Sequence, residues 1–283
     1  MRVIDVTGLR IGLDVPDAWI DPGFHPYFTA GAPEACVRLG AAELLQRSGG
    51  ETYEMEERVT VWPDAVRMLY REDERIIGTL LRPDAPLPEI IAVAKDDAPA
   101  PFELMDAIKG SVYCLLQRRG VYVLHSASVI LDGRVYAFSA PSGTGKTTHA
   151  ALWRKVFGAE DFNGDQLAVI AGERPVTAHG LPWCGSSGIA RAEALPLGGV
   201  FFLERGKENR AEPVDGLQKL ALLAQRMVAD HFTPGALGRT MNELAPTAQA
   251  LPCARLTCTM EDAAARVAVA YARRAMRQEE GCA

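Results

Sequence analysis

Residues 140–148 have the composition of a loop that binds phosphate groups, since they read Ala-Pro-Ser-Gly-Thr-Gly-Lys-Thr-Thr. Gly143 and Gly145 can adopt backbone angles closed to other residues, which lets successive N–H groups turn toward an anion. Lys146 adds a positive charge for terminal phosphates, and Thr147 offers a hydroxyl to a magnesium ion. A helix beginning near Gly145 would direct its positive dipole end at the same anion. This run therefore predicts a site for nucleotide phosphates.

The flanking sequence favours this interpretation. Residues 135–138 form a β-type run, and residues 146–157 carry apolar side chains at helical spacing, as expected on either side of such a loop. The consensus pattern G-x-x-x-x-G-K-[ST] has a glycine where this chain has Ala140, so the loop is a variant. The alternative is a glycine-rich strand-to-helix turn with an incidental lysine.

Transfer of a phosphoryl group also needs a metal ligand and, for an alcohol acceptor, a carboxylate that takes up its proton. Asp165 is the leading candidate, because it follows the predicted loop helix and immediately precedes a strand, where a carboxylate would return beside the phosphates. The alternative is an aspartate with a turn role only, which the preceding Asn163-Gly164 favours.

A glycine-rich loop at 180–193 supplies further candidates. Arg191 could stabilise charge on a transferring phosphoryl group, or it could form an ordinary surface salt bridge. Trp183 is interpreted as a packing residue or as a wall beside an adenine. His149, one turn into the loop helix, is interpreted as structural.

The elements that would position these residues indicate an α/β fold. The apolar spacing predicts a helix over 102–119, and two strands at 121–131 and 134–138 are joined by Asp132-Gly133, a strong hairpin signal. A hairpin leading into the loop implies a mixed central sheet. Further strands are predicted at 166–170, 175–178, 200–203 and 254–259, and helices at 217–229 and 261–277.

The first third of the chain predicts a separate β-rich module. Short β-type runs occur at 3–13, 35–39, 52–61, 65–70, 75–81 and 89–94. The charged, proline-bearing segment 95–101 is the best boundary candidate. We therefore expect a β-rich module over 1–97 and a catalytic domain over 102–283.

Composition bounds the class of protein. The chain has 283 residues, of which 48% are hydrophobic and 23% charged, as in a globular protein. Its net charge of −6 argues against nucleic acid as a partner. The sequence shows neither a signal-peptide core nor a membrane-length apolar run, so we expect no membrane association and a cytoplasmic location. The six cysteines lack zinc-ligand spacing and are expected to be free thiols.

Several motifs in order resemble the catalytic domain of the HPr kinase/phosphorylase family. They are Leu124-His125-Ser126, the Asp-Gly hairpin, the glycine–lysine run and Asn163-Gly164-Asp165, and they span roughly residues 105–235. The run is also similar to that of ATP-dependent phosphoenolpyruvate carboxykinases. The resemblance implies a P-loop kinase domain with a mixed sheet, and an ATP-dependent reaction with Mg²⁺.

Carried over by position, the resemblance implies that Lys146 contacts the β and γ phosphates and that Thr147 holds the magnesium ion. Asp165 matches one aspartate of the family's Asp-Asp pair, whereas Gly164 stands in place of the other. His125 matches a histidine near the family's active site, with an ordinary strand histidine as the alternative. The nucleotide-binding residues implied in this way are Ser142, Gly143, Thr144, Gly145, Lys146, Thr147 and Thr148.

The acceptor is expected to be a hydroxyl group, on a serine of a protein or peptide or on a small alcohol. The chain has no counterpart of the family's Lys-Pro-Gly-Arg segment near the C-terminus, so HPr itself and phosphorylase activity are not expected. The alternative function is a nucleotide-sensing protein that binds ATP without turnover. A homo-oligomer stays open, since HPr kinases are hexamers.

Overall fold

The computed structural model describes residues 1–54, 58–71, 73–228 and 236–280, and these divide into two compact units. Of the described residues, one unit contains 1–119 and Ala236, and the other contains 120–228 and 237–280. Each unit has its own mixed sheet, so the predicted α/β class with mixed pairing is confirmed. Among the described residues, no helix combines the length and the apolar composition needed to cross a bilayer.

The first unit is built on an eight-stranded sheet with the order β1-β2-β3-β8-β7-β6-β5-β4. Among the described strand pairs of this sheet, only β2–β3 and β3–β8 are parallel. Residues 55–57, inside the predicted strand 52–61, lie outside the described residues. The strands are β1 (Arg2–Val6), β2 (Leu9–Asp14), β3 (Ala35–Leu39), β4 (Glu51–Glu54), β5 (Arg58–Trp62), β6 (Ala65–Leu69), β7 (Ile76–Arg82) and β8 (Glu89–Ala94).

The helix α1 (Pro101–Gln117) belongs to this first unit. Its first residue is proline, which suits the first helical turn because its missing N–H has no intrahelical partner there. The helix packs against β7 and β8, and its buried side chains include Ile108 and Val112. The division therefore falls after Arg119, whereas the sequence placed this helix in a domain starting at 102. The charged and proline-bearing segment 95–101 is therefore not the boundary, because the helix that follows it packs on the first sheet.

The second unit is built on a ten-stranded mixed sheet with the main order β12-β10-β11-β15-β14-β13-β9-β17, to which β18 adds beside β15 and β16 beside β18. The β11–β15 and β15–β18 pairs are parallel. The strands are β9 (Val121–His125), β10 (Ala127–Leu131), β11 (Arg134–Ser139), β12 (Glu160–Asn163), β13 (Gln166–Ile170), β14 (Thr177–Gly180), β15 (Ala194–Arg205), β16 (Arg210–Pro213), β17 (Met227–Val228) and β18 (Cys253–Cys258).

The predicted hairpin at Asp132-Gly133 is confirmed, with β10 and β11 pairing antiparallel up to Leu131 and Arg134. Both turn residues have positive φ, 51° and 73°, as a two-residue hairpin turn of this kind requires. β11 then pairs parallel with β15 on its other side. The Asp132-Gly133 turn thus sets the pairing of β11, the strand whose end leads into the loop.

In the described part of this unit, four helices cover the two faces of the second sheet. They are α2 (Lys146–Phe157), α3 (Gly216–Arg226), α4 (Ala236–Ala250) and α5 (Asp262–Glu280). Tyr136 and Phe138 of β11 pack in the cluster that includes Trp153 of α2 and residues of α5. Val135 and Ala137 pack in the cluster that includes residues of α3 and α4. The strand alternation of period two therefore separates two apolar cores, one on each face of the sheet.

Candidate functional site

The glycine–lysine loop (residues 140–146) connects the end of β11 to the start of α2. Gly143 and Gly145 both have positive φ, 72° and 118°, so both glycines are required by the backbone. A Cβ at Gly145 would also lie 2.6 Å from Cε of Met260. Lys146 is the first residue of α2, and Gly145 is its N-cap. Backbone N–H groups of the first helical turn therefore lack partners within the helix and are available to an anion.

The departure from the loop consensus at Ala140 has a packing explanation. Its side chain is buried and belongs to the apolar cluster that contains Trp153 of α2. Its carbonyl oxygen accepts a hydrogen bond of 3.2 Å from Nζ of Lys146. The methyl group thus faces the core, and the lysine that would contact phosphates is held at the loop.

A histidine–aspartate pair lies at the ends of β9 and β13. Nε2 of His125 and Oδ1 of Asp165 are 3.1 Å apart, and both side chains are partly exposed. The sheet register explains the pairing, because Gln166 lies opposite His125 and the N–H of Ser126 donates to the Asp165 carbonyl at 2.8 Å. Oγ of Ser139, which ends β11, donates to the His125 carbonyl at 2.8 Å. The pair is thereby tied to the strand that leads into the loop.

The buried side chain of Asn163 holds Asp165 in position, a role that sequence reasoning missed. Its Oδ1 accepts hydrogen bonds from the N–H groups of Asp165, at 3.0 Å, and Gln166, at 2.9 Å. Its Nδ2 donates to the carbonyls of Leu181, at 2.9 Å, and Trp183. The sequence analysis interpreted the Asn-Gly pair as a turn signal and as part of a motif, but it did not show that the amide joins the aspartate to the 181–183 segment.

Position 164, where the resembled family has a second aspartate, has no space for a side chain. A Cβ on Gly164 would lie 1.9 Å from Oγ and 2.4 Å from Cβ of Ser187. The N–H of Gly164 donates to the Ile189 carbonyl at 3.1 Å, which holds the 187–189 segment against it. Asp165 is accordingly the single carboxylate that this turn presents.

The surroundings of Lys146 lower the pKa of its ammonium group. Burial lowers the pKa of its ammonium group, the carboxylate of Asp165 opposes that shift, and the positive charge of Arg226 adds to it. Asp165 and Arg226 are therefore both close enough to act electrostatically on the lysine.

A cleft of about 500 Å³ opens beside the loop, and we call it the basic cleft. Two arginines line it, Arg205 at the end of β15 and Arg226 at the end of α3. Arg205 donates a hydrogen bond from its guanidinium to the carbonyl of Gly143. Neither arginine was singled out from the sequence, since an isolated arginine gives no sign of what it meets in three dimensions. The full lining is Ser139, Pro141, Ser142, Gly143, Thr144, Phe202, Leu203, Glu204, Arg205, Leu222 and Arg226.

The remaining loop candidates differ in exposure. Ser142 and Thr147 are exposed, and Thr144 and Thr148 are partly buried. Both Ser142 and Thr144 line the basic cleft.

Arg191 lies in two ion pairs, with Glu160 at 2.7 Å and Glu193 at 3.3 Å. Glu160 begins β12, the strand whose other end carries Asn163. These contacts match the salt-bridge alternative, and a part for Arg191 in phosphoryl transfer stays a prediction.

His149 is fully buried, with Nε2 3.0 Å from Sγ of Cys258, and burial lowers its pKa to about 4. These contacts agree with the structural interpretation. Trp183 is also buried, which fits packing.

The described part of the chain contains no group of three or more His, Cys, Asp or Glu side chains arranged to hold a metal ion. Cys36, Cys114, Cys184, Cys253 and Cys258 are free thiols, as predicted, whereas Cys282 lies outside the described residues.

The fold and the site define a mixed α/β protein that presents a glycine–lysine loop and a histidine–aspartate pair from one sheet. No protein-family model matches the chain, and no curated protein matches it. Among solved structures, it is similar to the HPr(Ser) kinase/phosphatase from Coxiella burnetii, with a TM-score of 0.33 and 9% identity over 56% of this chain and 95% of that one. This similarity is too low to assign a fold family or an activity.

Proposed function

We propose that this protein is an ATP-dependent phosphotransferase that moves a γ-phosphoryl group to a hydroxyl acceptor. The proposal is carried by one observation, the placement of Asp165 near Lys146. Lys146 begins the helix that follows the loop, and the negative charge of Asp165 favours the charged form of its ammonium group. The same carboxylate lies 3.1 Å from His125. A phosphate site and a proton-accepting carboxylate are the two parts that such a transfer needs.

The loop would hold the donor. Backbone N–H groups at the start of α2 face an anion together with the helix dipole, and Lys146 adds a full positive charge. Gly143 and Gly145 give the backbone the angles this requires. Hydroxyl side chains on the loop and the first turn of α2 would add further phosphate contacts, namely Ser142, Thr144, Thr147 and Thr148.

The residues present suit a magnesium ion that is bound mainly through the nucleotide. Mg²⁺ in such sites keeps several waters and takes only one or two protein ligands in addition to phosphate oxygens. Thr147 and Asp165 would supply these ligands, a hydroxyl and a carboxylate. When bound, the ion would neutralise charge on the phosphates.

Asp165 would also accept the proton of the acceptor hydroxyl. The acceptor oxygen then bonds to the γ-phosphorus as the bond to the β-phosphate oxygen breaks, and ADP leaves. His125 would fix the orientation of the carboxylate through their contact, and Asn163 would fix the backbone beneath it. The partly exposed pair leaves access for an acceptor from solvent.

The acceptor class we propose is a serine of a protein or peptide, or a small alcohol, by analogy with the family that the motifs resemble. Because ATP is the proposed donor, the proposed compartment is the cytoplasm.

Transfer of label from γ-labelled ATP tests this function. The protein is incubated with Mg²⁺ and either a pool of serine-containing peptides or a pool of small alcohols. Lys146→Ala is the blank, and Lys155→Ala is the matched control, because Lys155 lies on the same helix but pairs with Asp262. We expect label in one pool with the wild type and Lys155→Ala, and none with Lys146→Ala. Equal transfer by Lys146→Ala would contradict the site.

A nucleotide-sensing protein without turnover is the second candidate. The observation that favours it is the filled space at Gly164, which excludes the second carboxylate of the resembled family. ATP binding with neither label transfer nor phosphate release would identify the sensor.

A further inference from the structure

The basic cleft is lined by two arginines, Arg205 and Arg226, that do not belong to the glycine–lysine loop. Arg226 lines the cleft from the end of α3, opposite loop residues such as Ser142 and Thr144. Its guanidinium acts unfavourably on the ammonium of Lys146. Two cations brought together at a partly buried place repel each other, and such a pair is stabilised when an anion lies between or beside them.

Among the described residues, Arg226 has no carboxylate partner. Arg134 of the same unit also lacks one, but it does not line the basic cleft. Arg226 is half-buried, and among the described residues no hydrogen bond or ion pair is formed by its guanidinium. Other arginines of the same unit are neutralised by carboxylates: Arg154 by Asp161, Arg191 by Glu160 and Glu193, Arg210 by Glu212, Arg255 by Glu204, and Arg273 by Asp132.

The sheet register places Arg226 beside the candidate site. β17 pairs antiparallel with β9, with Met227 opposite Leu124 and Val228 opposite Val123. The next residues along this ladder, Arg226 and His125, therefore come to the same end of the sheet. The arginine thus starts from the strand end that carries the histidine–aspartate pair.

From this arrangement we propose that Arg226 binds the terminal phosphoryl group of a nucleoside triphosphate held at the glycine–lysine loop. The ligand class is a polyphosphate whose end group reaches the basic cleft. A planar guanidinium suits this role because it can donate two parallel hydrogen bonds to one phosphate. The assignment rests on the proposed nucleotide site.

Arg205 has a different part in the same cleft. Its guanidinium donates to the Gly143 carbonyl, so it holds the loop in shape from the end of β15. A bond to a loop carbonyl uses one of five N–H donors, and the others stay available to the phosphate chain. Arg226 is the better single test, because removing it breaks no described hydrogen bond.

The assignment predicts a pair of effects with opposite sign. Replacing Arg226 with glutamine removes a contact to the terminal phosphoryl group, so ATP should bind about 10- to 100-fold more weakly. ADP lacks that group, so its affinity should change by less than about threefold. Without nucleotide, the same change relieves repulsion with Lys146, and the melting temperature at low salt should not fall.

The experiment is a set of ATP and ADP titrations with the wild type, Arg226→Gln, Arg226→Lys and the control Arg210→Gln, whose arginine pairs with Glu212 on the surface. Arg226→Lys keeps the charge and should retain part of the ATP affinity, while Arg210→Gln should match the wild type. Melting temperatures of the nucleotide-free variants report folding.

Four results would overturn the assignment. ATP affinity in Arg226→Gln within about threefold of the wild type would show that the arginine does not contact the nucleotide. An equal loss of ATP and ADP affinity would show that the arginine contacts a part of the nucleotide that ATP and ADP share. A wild type that binds ADP and ATP equally, with Arg226→Gln unchanged, would show that the arginine makes no contact with the terminal phosphoryl group. If the wild type bound neither nucleotide, the proposed function would be wrong, and this assignment with it.

Discussion

At the residue scale, the proposed mechanism depends on the Asp165 carboxylate. One oxygen contacts His125, the backbone on either side is bonded to Asn163, and the neighbouring turn provides no second acid. In the proposed mechanism, this single carboxylate would serve the acceptor and share in binding the metal ion. Its loss should therefore affect turnover much more than binding.

Asp165→Asn should keep ATP affinity within about threefold and lower turnover by about 10²- to 10⁴-fold, because the amide cannot accept the acceptor's proton. Titration with ATP and steady-state kinetics on the same preparation separate the two effects. Asp161→Asn is the matched control, since Asp161 lies on β12 and pairs with Arg154. Turnover unchanged in Asp165→Asn would remove this residue from the mechanism.

Buried His149 predicts a pH dependence of stability. Burial lowers its pKa to about 4, so the folded protein keeps the imidazole neutral where the unfolded chain, with a usual value near 6.5, takes up a proton. The unfolded state is then favoured as pH falls below about 6.5, and the loss continues until pH reaches about 4. From pH 7 to pH 5 the free energy of unfolding should fall by about 2 kcal/mol on this account.

Denaturant titrations at the two pH values measure this loss. His149→Leu should have a smaller pH dependence by about 2 kcal/mol, whatever its stability at pH 7, and His25→Gln, which changes an exposed histidine, should behave as the wild type. A pH dependence in His149→Leu equal to that of the wild type would show that this histidine is protonated as easily in the folded state.

At the scale of elements, local chemistry predicted some features and long-range packing decided others. The Asp132-Gly133 turn identified the hairpin that leads into the loop, and the helical spacing after Lys146 identified α2. The single strand predicted over 121–131 is observed as two strands, β9 and β10, which lie apart in the sheet. The predicted helix 217–229 is observed as α3 followed by β17, with Ala229 outside the described residues. The short strand β16 was missed, because four residues give too little alternation to detect.

The helix α4 was missed for an identifiable reason. It contains Gly238 and Pro246, two residues that argue against a helix when the segment is considered alone. Its side chains Leu244 and Ala248 are buried in the cluster with Val135 and Leu223. Tertiary packing of this apolar face outweighs the local propensity, which a sequence pattern alone does not show.

The contact between the 163–165 turn and the 184–188 loop predicts how a second carboxylate would behave. Gly164→Asp should destabilise the protein and leave turnover no higher, because its Cβ would overlap Ser187. Adding Ser187→Gly should recover part of the stability, so the two changes should be non-additive by about 1 kcal/mol or more. Denaturant titration of both single variants and the double variant measures this coupling, and additive effects would contradict the contact.

At the scale of the whole molecule, the chain forms two units, each with a mixed sheet of its own. The sequence predicted a β-rich first part and an α/β second part that begins at residue 102, whereas the observed division after Arg119 puts α1 in the first unit. All residues of the candidate site lie in the second unit: the loop, His125, Asp165, Arg205 and Arg226. The loop and Asp165 could be predicted because their motifs are local in sequence.

The two arginines and Asn163 could not be predicted. Arg205 and Arg226 reach the loop from β15 and α3, about 60 and 80 residues later in the chain by their numbering, and only the sheet order brings them together. Asn163 was visible as a turn residue, but its bonds to Leu181 and Trp183 depend on a distant segment.

The central claim is that the glycine–lysine loop binds nucleotide phosphates, since both the kinase and the sensor depend on it. Calorimetric titration of Mg·ATP into the wild type, Lys146→Ala and Lys155→Ala tests it most directly. We predict one ATP per chain for the wild type and Lys155→Ala, and affinity about 10- to 100-fold weaker for Lys146→Ala, as expected for a lost charge-assisted contact. Equal ATP affinity in all three proteins, or no binding by the wild type, would contradict the account.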